Sequence, residues 1–367
     1  MDDIANQIQS VLWASFALLL VFGAIAQRTH FCTMGALSDV INMGDWSRMR
    51  QWALVMATAM AGFALLSLSG QIDPAQSLYN TPRWLWLSTL IGGTMFGVGM
   101  VLASGCGNKT LIRMGTGNLK SWVVFVIMGV SAFATLKGLT AVWRNRSIDT
   151  VFIDMPAGAH LGTWVSAWVD MPHVWPLAGL AVASVLALWA FSNKDFWQAQ
   201  HVFAGVGLGL VATAMLWVSG HLGFVHEHPE TLEAVYLTTN SGRMEAMSFV
   251  APMAYILDWL MFYSDVTKVL SFGMVSAMGV VCGAAISSVL NGSFRWEGFG
   301  QTADLAHHLL GAVLMGVGGV TAMGCTIGQG VSGISTLSLN AITAVLGIGI
   351  GAWLAFKYQI WSLERSL

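Results

Sequence analysis

Charged side chains are scarce in this chain of 367 residues, where Asp, Glu, Lys and Arg together make up 9%. A typical soluble domain carries about 25%. The hydrophobic fraction is 56% and the mean hydropathy is +0.67, which excludes an ordinary soluble domain and indicates that the chain lies in a lipid bilayer. The formal net charge of -2 provides no basic surface, so we expect no nucleic-acid partner.

Cysteines are also few, and no two of them are close in the sequence. The four are Cys32, Cys106, Cys282 and Cys325. Because there is no CxxC pair and no short secreted framework, we expect neither a disulfide scaffold nor a structural zinc site. The sequence also lacks a nucleotide-binding P-loop, so we expect no direct coupling to ATP and no cofactor.

Long apolar runs are what the sequence has instead. A membrane-spanning helix needs roughly 20 mostly apolar residues, and we predict nine spans: 11–27, 51–70, 84–104, 119–136, 174–192, 201–219, 269–290, 305–323 and 338–357. A tenth run, 246–263, contains Pro252 and Asp258. Those two residues leave it open as a true span, a broken span or an interfacial segment.

Two basic loops indicate the orientation of the chain. Residues 28–50 and 105–120 carry most of the arginines and lysines in the first third of the sequence, which places them on the cytoplasmic side. The N-terminus, with Asp2 and Asp3 where a signal peptide would have lysines, then lies outside and begins a retained helix. Nine crossings would put the C-terminus inside.

Four loops between the apolar runs are short and rich in glycine and other small residues. They are 29–42, 105–117, 291–303 and 324–336. Irregular backbone at membrane depth persists only where protein or a water-filled cavity covers it. We therefore predict that these loops are re-entrant segments, each with a short intramembrane helix.

An internal repeat carries two of the cysteines. Residues 97–106 read GVGMVLASGC and residues 316–325 read GVGGVTAMGC, with seven of ten positions identical. A weaker similarity links 26–35 with 293–301. Many transporters are built from two such halves, often inverted across the membrane, with interrupted helices around the substrate.

These patterns predict an all-α integral membrane protein with about nine transmembrane helices, short re-entrant intramembrane helices and two pseudo-symmetric, inverted repeats. We assign residues 1–140 to the first half, with the Cys32 and Cys106 loops. Residues 246–367 form the second half, with the Cys325 loop. The stretch 141–245 is an insertion with connecting membrane helices.

Three motifs combine cysteine with closely spaced glycines: RTHFCTMGALSD at 28–39, LASGCGNKTLIRMGTGNLKSW at 102–122 and MGCTIGQGVSGISTLSL at 323–339. They resemble those of the YeeE/YedE family of bacterial inner-membrane sulfur transporters. The resemblance implies a multi-pass protein of the bacterial inner membrane that takes up thiosulfate or a related sulfur anion. It also implies three cysteines along the path, by position Cys32, Cys106 and Cys325, and a small cytosolic TusA-like sulfur carrier as partner.

Cysteine suits such a path for a physical reason. A buried thiol keeps its proton because desolvation disfavours the thiolate, and its S–H is then a weak, neutral and polarizable donor. Conduction needs sites that bind an ion without trapping it. The helix predicted to begin near Asn108, with Lys109 and Arg113 four residues apart on one face, would supply attraction at longer range.

The predicted substrate path is therefore a set of ten residues: His30, Cys32, Gly105, Cys106, Gly107, Lys109, Arg113, Gly324, Cys325 and Gln329. His30 is open to a simpler interpretation, as the cap of a turn. Cys282 matches no motif, and we assign it to packing.

Two other classes of protein fit part of the pattern. Soft sulfur ligands also bind Cu(I), which keeps a soft-metal transporter open. A membrane sulfurtransferase is the other, with a persulfide on Cys106 as an activated nucleophile and a thiol pKa lowered by Lys109 and Arg113.

Overall fold

The computed structural model describes residues 2–156, 158–162, 174–229, 232–300 and 302–366. The α-helices of this part of the chain are α1 (Asp2–Arg28), α2 (Thr33–Met43), α3 (Ser47–Leu68), α4 (Trp86–Leu102), α5 (Gly107–Gly115), α6 (Leu119–Lys137), α7 (Leu139–Ser147), α8 (Val174–Phe191), α9 (Ala199–Trp217), α10 (Val250–Met261), α11 (Phe272–Leu290), α12 (Thr302–Thr321) and α13 (Leu339–Ser366). Two π-helical turns, Val218–Leu222 and Gly328–Gly333, and two 3-10 turns, Pro74–Gln76 and Lys194–Trp197, complete the helical elements.

Seven helical segments of the described chain are long and apolar enough to cross a membrane. They are Asp3–Met43, Ser47–Leu68, Trp86–Gly115, Leu119–Lys137, Ala199–Leu222, Phe272–Leu290 and Leu339–Ser362. The protein is therefore a mostly helical, multi-pass membrane protein. The other two predicted spans coincide with α8 and α12, and that these two helices also cross the membrane stays a prediction.

Helix α10 occupies the run that the sequence left undecided. It has 12 residues, which at 1.5 Å per residue is about 18 Å, well short of the roughly 30 Å of a hydrocarbon core. Pro252 lies in its first turn, where a missing N–H costs little. Asp258 near its end accepts a hydrogen bond from Lys268 Nζ at 2.5 Å. The helix is too short for a complete crossing.

Three of the four glycine-rich loops contain the expected short helical segments. Helix α2 begins within 29–42 and ends one residue beyond it, and α5 and the π-turn Gly328–Gly333 lie within 105–117 and 324–336. Helix α5 and the π-turn are largely buried. The prediction for 291–303 is wrong. Residues 291–298 are all exposed and the described residues before α12 form no helix, so the weaker similarity between 26–35 and 293–301 does not correspond to a shared structure.

The loop after α11 is instead held at the N-terminal end of α6 by backbone hydrogen bonds. Leu119 N–H donates to the carbonyl of Glu297 at 2.8 Å, and Asn118 Nδ2 donates to Glu297 Oε2 at 2.6 Å. Residues 291–298 are exposed although Phe294 and Trp296 are among them, so this loop lies at the surface, as connecting segments usually do.

The long helices pack closely through glycine. Helix α4 lies between α12 and α13, α12 packs on α6, α1 packs on α11, and α3 packs on α8 and α9. On α4, a Cβ at Gly93 or Gly97 would overlap the carbonyl oxygen of Ala344 or Ile348 on α13. Such contacts between backbones are typical of membrane helix interfaces with small residues.

The connecting segments carry two small sheets. Strand β1 (Arg83–Trp84) pairs antiparallel with β2 (Ile153–Asp154), and β3 (Phe224–Val225) pairs antiparallel with β4 (Val235–Tyr236). The insertion predicted at 141–245 thus includes most of α7 together with β2, α8, α9, β3 and β4. Its residues 157, 163–173, 230 and 231 lie outside the described part of the chain.

Candidate functional site

Each of the three motif cysteines stands at the start of a short helical segment. Cys32 and Cys106 are the N-caps of α2 and α5, and Cys325 lies just before the π-turn. The sulfur of Cys32 accepts the N–H of Gly35 at 3.4 Å, and that of Cys325 accepts the N–H of Gly328 at 3.4 Å. These sulfurs take up N–H groups that have no partner inside the helix.

The same helix ending leads into Cys106 and Cys325. Ser104 after α4 and Met323 after α12 have left-handed backbones, with φ of 54° and 61°. The N–H groups of Gly105 and Gly324 then each donate to the carbonyl five residues earlier, at 2.8 Å in both cases. This is the hydrogen-bond pattern of a Schellman ending, and it presents both cysteines in the same way.

The cysteines form part of one buried cluster. The side chains of Cys32 and Cys106 lie close enough to interact with each other, and that of Cys106 also lies close to Thr326. Cys106 and Cys325 have no exposed surface. Cys32, Cys106 and Thr326 therefore form a continuous line that crosses from α2, past the start of α5, to the segment that contains Cys325.

Three α-helical N-termini meet at this cluster. Cys32 and Cys106 bring together the starts of α2 and α5. The start of α10 joins them, since Phe249 Cβ and Val250 Cγ2 lie 3.9 and 3.7 Å from the Cβ position of Gly107. Because the N-terminal end of a helix carries a partial positive charge and unpaired N–H groups, this convergence favours an anion.

Two cations lie on α5 beside the cluster. Lys109 interacts electrostatically with Cys32 and Cys106. Arg113 Nη1 donates to the carbonyl of Ser104 at 2.8 Å, so this guanidinium holds the turn that precedes Cys106. A side chain at position 105 would crowd Lys109, because a Cβ on Gly105 would lie 3.1 Å from Lys109 Cγ.

His30 and Cys282 are exposed, unlike the three motif cysteines. His30 is a turn residue between α1 and α2 with φ of 52° and an exposed side chain, within electrostatic range of Lys109 and Arg48. Cys282 is exposed on α11, so its assignment to packing is wrong. Helix α11 is apolar all round, and periodicity cannot show which face of such a helix is buried.

A large cavity of about 370 Å³ lies on one side of Cys325. Its polar lining includes Tyr79, Arg144, Glu245 and Gln329, and Gly324 also borders it. Burial raises the pKa of the Glu245 carboxyl. Gln329 Nε2 donates to the Ala322 carbonyl at 2.9 Å, while its buried Oε1 has no hydrogen-bond partner.

A small cavity of about 100 Å³ lies on the other side of Cys325. Thr33, Trp52 and Thr326 provide its polar groups, and the remaining wall consists of Leu37, Met49, Val345, Ile348 and Gly349. Gly324 borders the large cavity and Thr326 the small one, so the buried Cys325 stands between the two.

Motif reasoning missed Thr33, Trp52 and Thr326. A signal for two of them was present, since Cys32 and Cys325 are each followed directly by threonine. Trp52 lies inside an ordinary apolar run, where nothing in the sequence distinguishes it from the other tryptophans.

This architecture defines a membrane transport protein rather than an enzyme. It has many membrane-embedded helices, interrupted helices that meet at buried polar groups, and two cavities with a buried segment between them.

The chain belongs to the sulphur transport family, whose model matches residues 28–354. Two relatives are similar over nearly the whole chain. The thiosulfate transporter TsuA of Spirochaeta thermophila is 26% identical over 359 residues, covering 95% of this chain and 100% of the relative. The thiosulfate transporter TsuA of Escherichia coli is 26% identical over 352 residues, covering 92% of each.

Proposed function

We propose that this protein takes up thiosulfate or a related sulfur anion across a bacterial inner membrane, and that the anion passes along neutral cysteine thiols. The observation that carries the proposal is the line of Cys32, Cys106 and Thr326, which lies beside Cys325 between two cavities. The relatives named as thiosulfate transporters support the choice of substrate.

The buried cluster offsets part of the free energy that a dianion loses when its hydration water is removed. Moving an isolated ion into a medium of low dielectric constant costs on the order of tens of kcal/mol. The converging starts of α2, α5 and α10 and the ammonium of Lys109 favour negative charge there. A hydrogen bond to a charged group contributes roughly 1.5 to 3 kcal/mol, and a weakly donating thiol contributes at or below the low end, so the anion is held without being trapped.

The direction of the path follows from the charge bias of the loops. The large cavity is bordered by Leu85, Arg144 and Asn240, which belong to connections on the predicted outer side. The anion enters there, passes Gln329 and Cys325, and then meets Cys106 and Cys32. A TusA-like carrier protein in the cytosol would receive the sulfur.

The packing supports two inverted halves with new boundaries, 2–137 and 199–366. Helix α4 packs on α13 as α12 packs on α6, and α1 packs on α11 as α9 packs on α3. The two Schellman endings before Cys106 and Cys325 follow the same correspondence. In this scheme the second half begins at α9 rather than at residue 246, and α10 is the counterpart of α2.

Radiolabelled thiosulfate uptake by cells that express each variant tests the proposal. Cys106→Ala is expected to reduce uptake to background, and Cys106→Ser, a harder donor, to lose most of it. The matched control is Cys282→Ala, which removes an exposed thiol and is expected to leave uptake unchanged. Uptake at the wild-type level by a well-expressed Cys106→Ala protein would contradict the thiol path.

A second candidate function has one observation in its favour, the ammonium of Lys109 within electrostatic range of two thiols. In a sulfurtransferase, the Cys106 thiolate would attack the outer sulfur of thiosulfate, the S–S bond would break, and sulfite would leave with the electron pair, so that a persulfide remains on Cys106. Mass spectrometry of protein trapped during uptake distinguishes the two functions. Unmodified Cys106 supports the transporter, and a persulfide supports the enzyme.

A further inference from the structure

We propose that the small cavity bounded by Thr33, Trp52 and Thr326 is an inner binding subsite for the oxygen atoms of the sulfur anion. This inference rests on the proposed function and deepens it, because it assigns the two chemically different ends of the substrate to different groups. None of the three residues belongs to the cysteine path predicted from the motifs.

The first observation is a concentration of unsatisfied polar atoms. Thr33 Oγ1 and Trp52 Nε1 are buried in side chains that are 6% and 7% exposed, and they have no hydrogen-bond partner. Thr326 is 1% exposed, and its hydroxyl has no oxygen or nitrogen partner and lies against the Cys106 thiol. A buried polar group without a partner is rare in a native protein, so three around one small cavity indicate a ligand.

The second observation is that all three unsatisfied groups are hydrogen-bond donors. The indole N–H of Trp52 can only donate, and the hydroxyls of Thr33 and Thr326 can donate. The cavity is bordered by no carboxylate, and its remaining wall is mainly aliphatic. An apolar ligand would leave all three donors unsatisfied, whereas the oxygens of an anion accept from each of them.

The electrostatic potential around the small cavity is positive, as an anion requires. Thr33 is the first residue of α2, an 11-residue helix, so the positive end of this helix points at the cavity. Thr326 brings the cavity next to Cys106, and the ammonium of Lys109 acts on that cysteine. The site thus combines neutral donors with a positive potential.

The size and position of the cavity orient the ligand. A cavity needs roughly 10–15 Å³ to hold one water, so about 100 Å³ accommodates a compact anion of five heavy atoms. Because Thr326 touches Cys106, the oxygen end of thiosulfate lies toward Thr33, Trp52 and Thr326, and its outer sulfur lies toward the Cys106 thiol. Sulfate would place an oxygen at the thiol instead, so this arrangement favours thiosulfate over sulfate.

The test uses the full-length protein in detergent and in cells. Thr33→Val and Thr326→Val each remove one donor with little change of shape, and Trp52→Phe removes the indole N–H together with part of the ring. Thr58→Val is the control, because Thr58 lies on the same helix as Trp52 but its hydroxyl already donates to the carbonyl of Leu54 at 2.9 Å. Binding is measured as the rise in melting temperature with thiosulfate concentration, sulfate is the comparison anion, and uptake is measured in parallel.

We expect each of the three substitutions to weaken thiosulfate binding about tenfold or more, as the loss of a hydrogen bond to a charged group does, and Thr58→Val to leave it unchanged. The ligand-free melting temperature should not fall in the two Thr→Val variants, since an unsatisfied donor is removed. If one variant does not fold, the remaining variants still decide the question.

The outcomes separate the two proposals. Wild-type affinity in all three variants, with uptake by the wild type intact, would overturn the subsite and leave the proposed function standing. Thiosulfate binding that the variants lose, without any uptake by the wild type, would support the subsite and overturn the function. Absence of both thiosulfate binding and uptake in the wild type would overturn both.

Discussion

At the scale of single residues, cysteine occupies positions that other residues stabilise better. Ser, Thr, Asp and Asn are the preferred helix N-caps, yet Cys32 and Cys106 occupy the N-cap positions of α2 and α5, and only Cys32 accepts a capping hydrogen bond. A sulfur is a weaker acceptor than a hydroxyl or carboxylate oxygen, so these helix starts give up some stability. The stability of the fold therefore does not explain cysteine at these positions, and the proposed thiol path does.

Glu245 gives a prediction at the same scale. Its Oε1 accepts the N–H groups of Asn240 and Ser241, both at 2.9 Å, yet burial outweighs these bonds and raises its pKa. The folded state therefore holds this proton to higher pH than the unfolded state does. Below the ordinary pKa of 4.5, Glu245 is protonated in both the folded and the unfolded state and its ionisation does not affect the free energy of unfolding. That free energy falls as the pH rises through the folded-state pKa.

Glu245→Gln keeps an acceptor for the two N–H groups and removes the ionisation. We expect its melting temperature to match the wild type near about pH 4 and to exceed it increasingly toward about pH 8, in proportion to the ionisation cost. Glu364→Gln, at an exposed position near the end of α13, should show no such trend. A constant difference between Glu245→Gln and the wild type across this range would refute the prediction.

The residues of the site were only partly readable from the sequence. Cys106 and Cys325 were found because a repeated pattern of glycine, apolar residues and cysteine has one physical meaning, a helix that ends in a turn before a buried thiol. Thr33 and Trp52 were missed because burial without a hydrogen-bond partner is a property of the packed protein and leaves no trace in local composition.

At the scale of elements, hydropathy identified the helices and misjudged one loop. Every predicted span coincides with a helix, because an apolar run of that length has few alternatives in a bilayer. The loop 291–303 shares the small residues of the other three loops. It lacks an apolar stretch that could pack between helices, and residues 291–298 are exposed. Small residues alone therefore do not predict a buried segment.

The contact between α4 and α13 gives a prediction for an element. A Cβ at Gly97 would overlap the carbonyl of Ile348, so Gly97→Ala should destabilise the protein by about 1–3 kcal/mol through overpacking. Gly179→Ala on α8 is the control, because its nearest neighbouring atom, Ala64 Cβ, would be 3.6 Å away and alanine favours helix formation by about 1 kcal/mol.

The measurement is the fraction of each variant that stays monodisperse in detergent after a heating series. Gly97→Ala should aggregate at a lower temperature than the wild type, and Gly179→Ala at the same or a higher temperature. Equal thermal behaviour of the two variants would show that the α4–α13 interface can adjust to a methyl group.

At the scale of the whole molecule, the number of crossings decides the symmetry. Helix α10 is too short to span, which leaves nine long helices among the described residues. An odd number of crossings places the two termini on opposite sides of the membrane. Nine crossings also give the two proposed halves opposite orientations, because α1 and α9 are then the first and the sixth crossings and run in opposite directions.

Reporter fusions at each end test this topology. A reporter that is active only outside the cytoplasm should give signal at the N-terminus and none at the C-terminus, and a reporter that is active only inside should give the reverse. The same compartment for both termini would exclude nine crossings and, with them, the inverted arrangement of the two halves.

The position of Cys325 has a consequence for how far the protein must move. Gly324 borders one cavity and Thr326 the other, and these positions, two residue steps apart, are separated by at most about 7 Å of extended chain. The partition between the two compartments is therefore locally about as thin as a single backbone strand. On the path proposed above, a local shift of this short stretch of backbone is therefore the smallest movement that would join the two cavities.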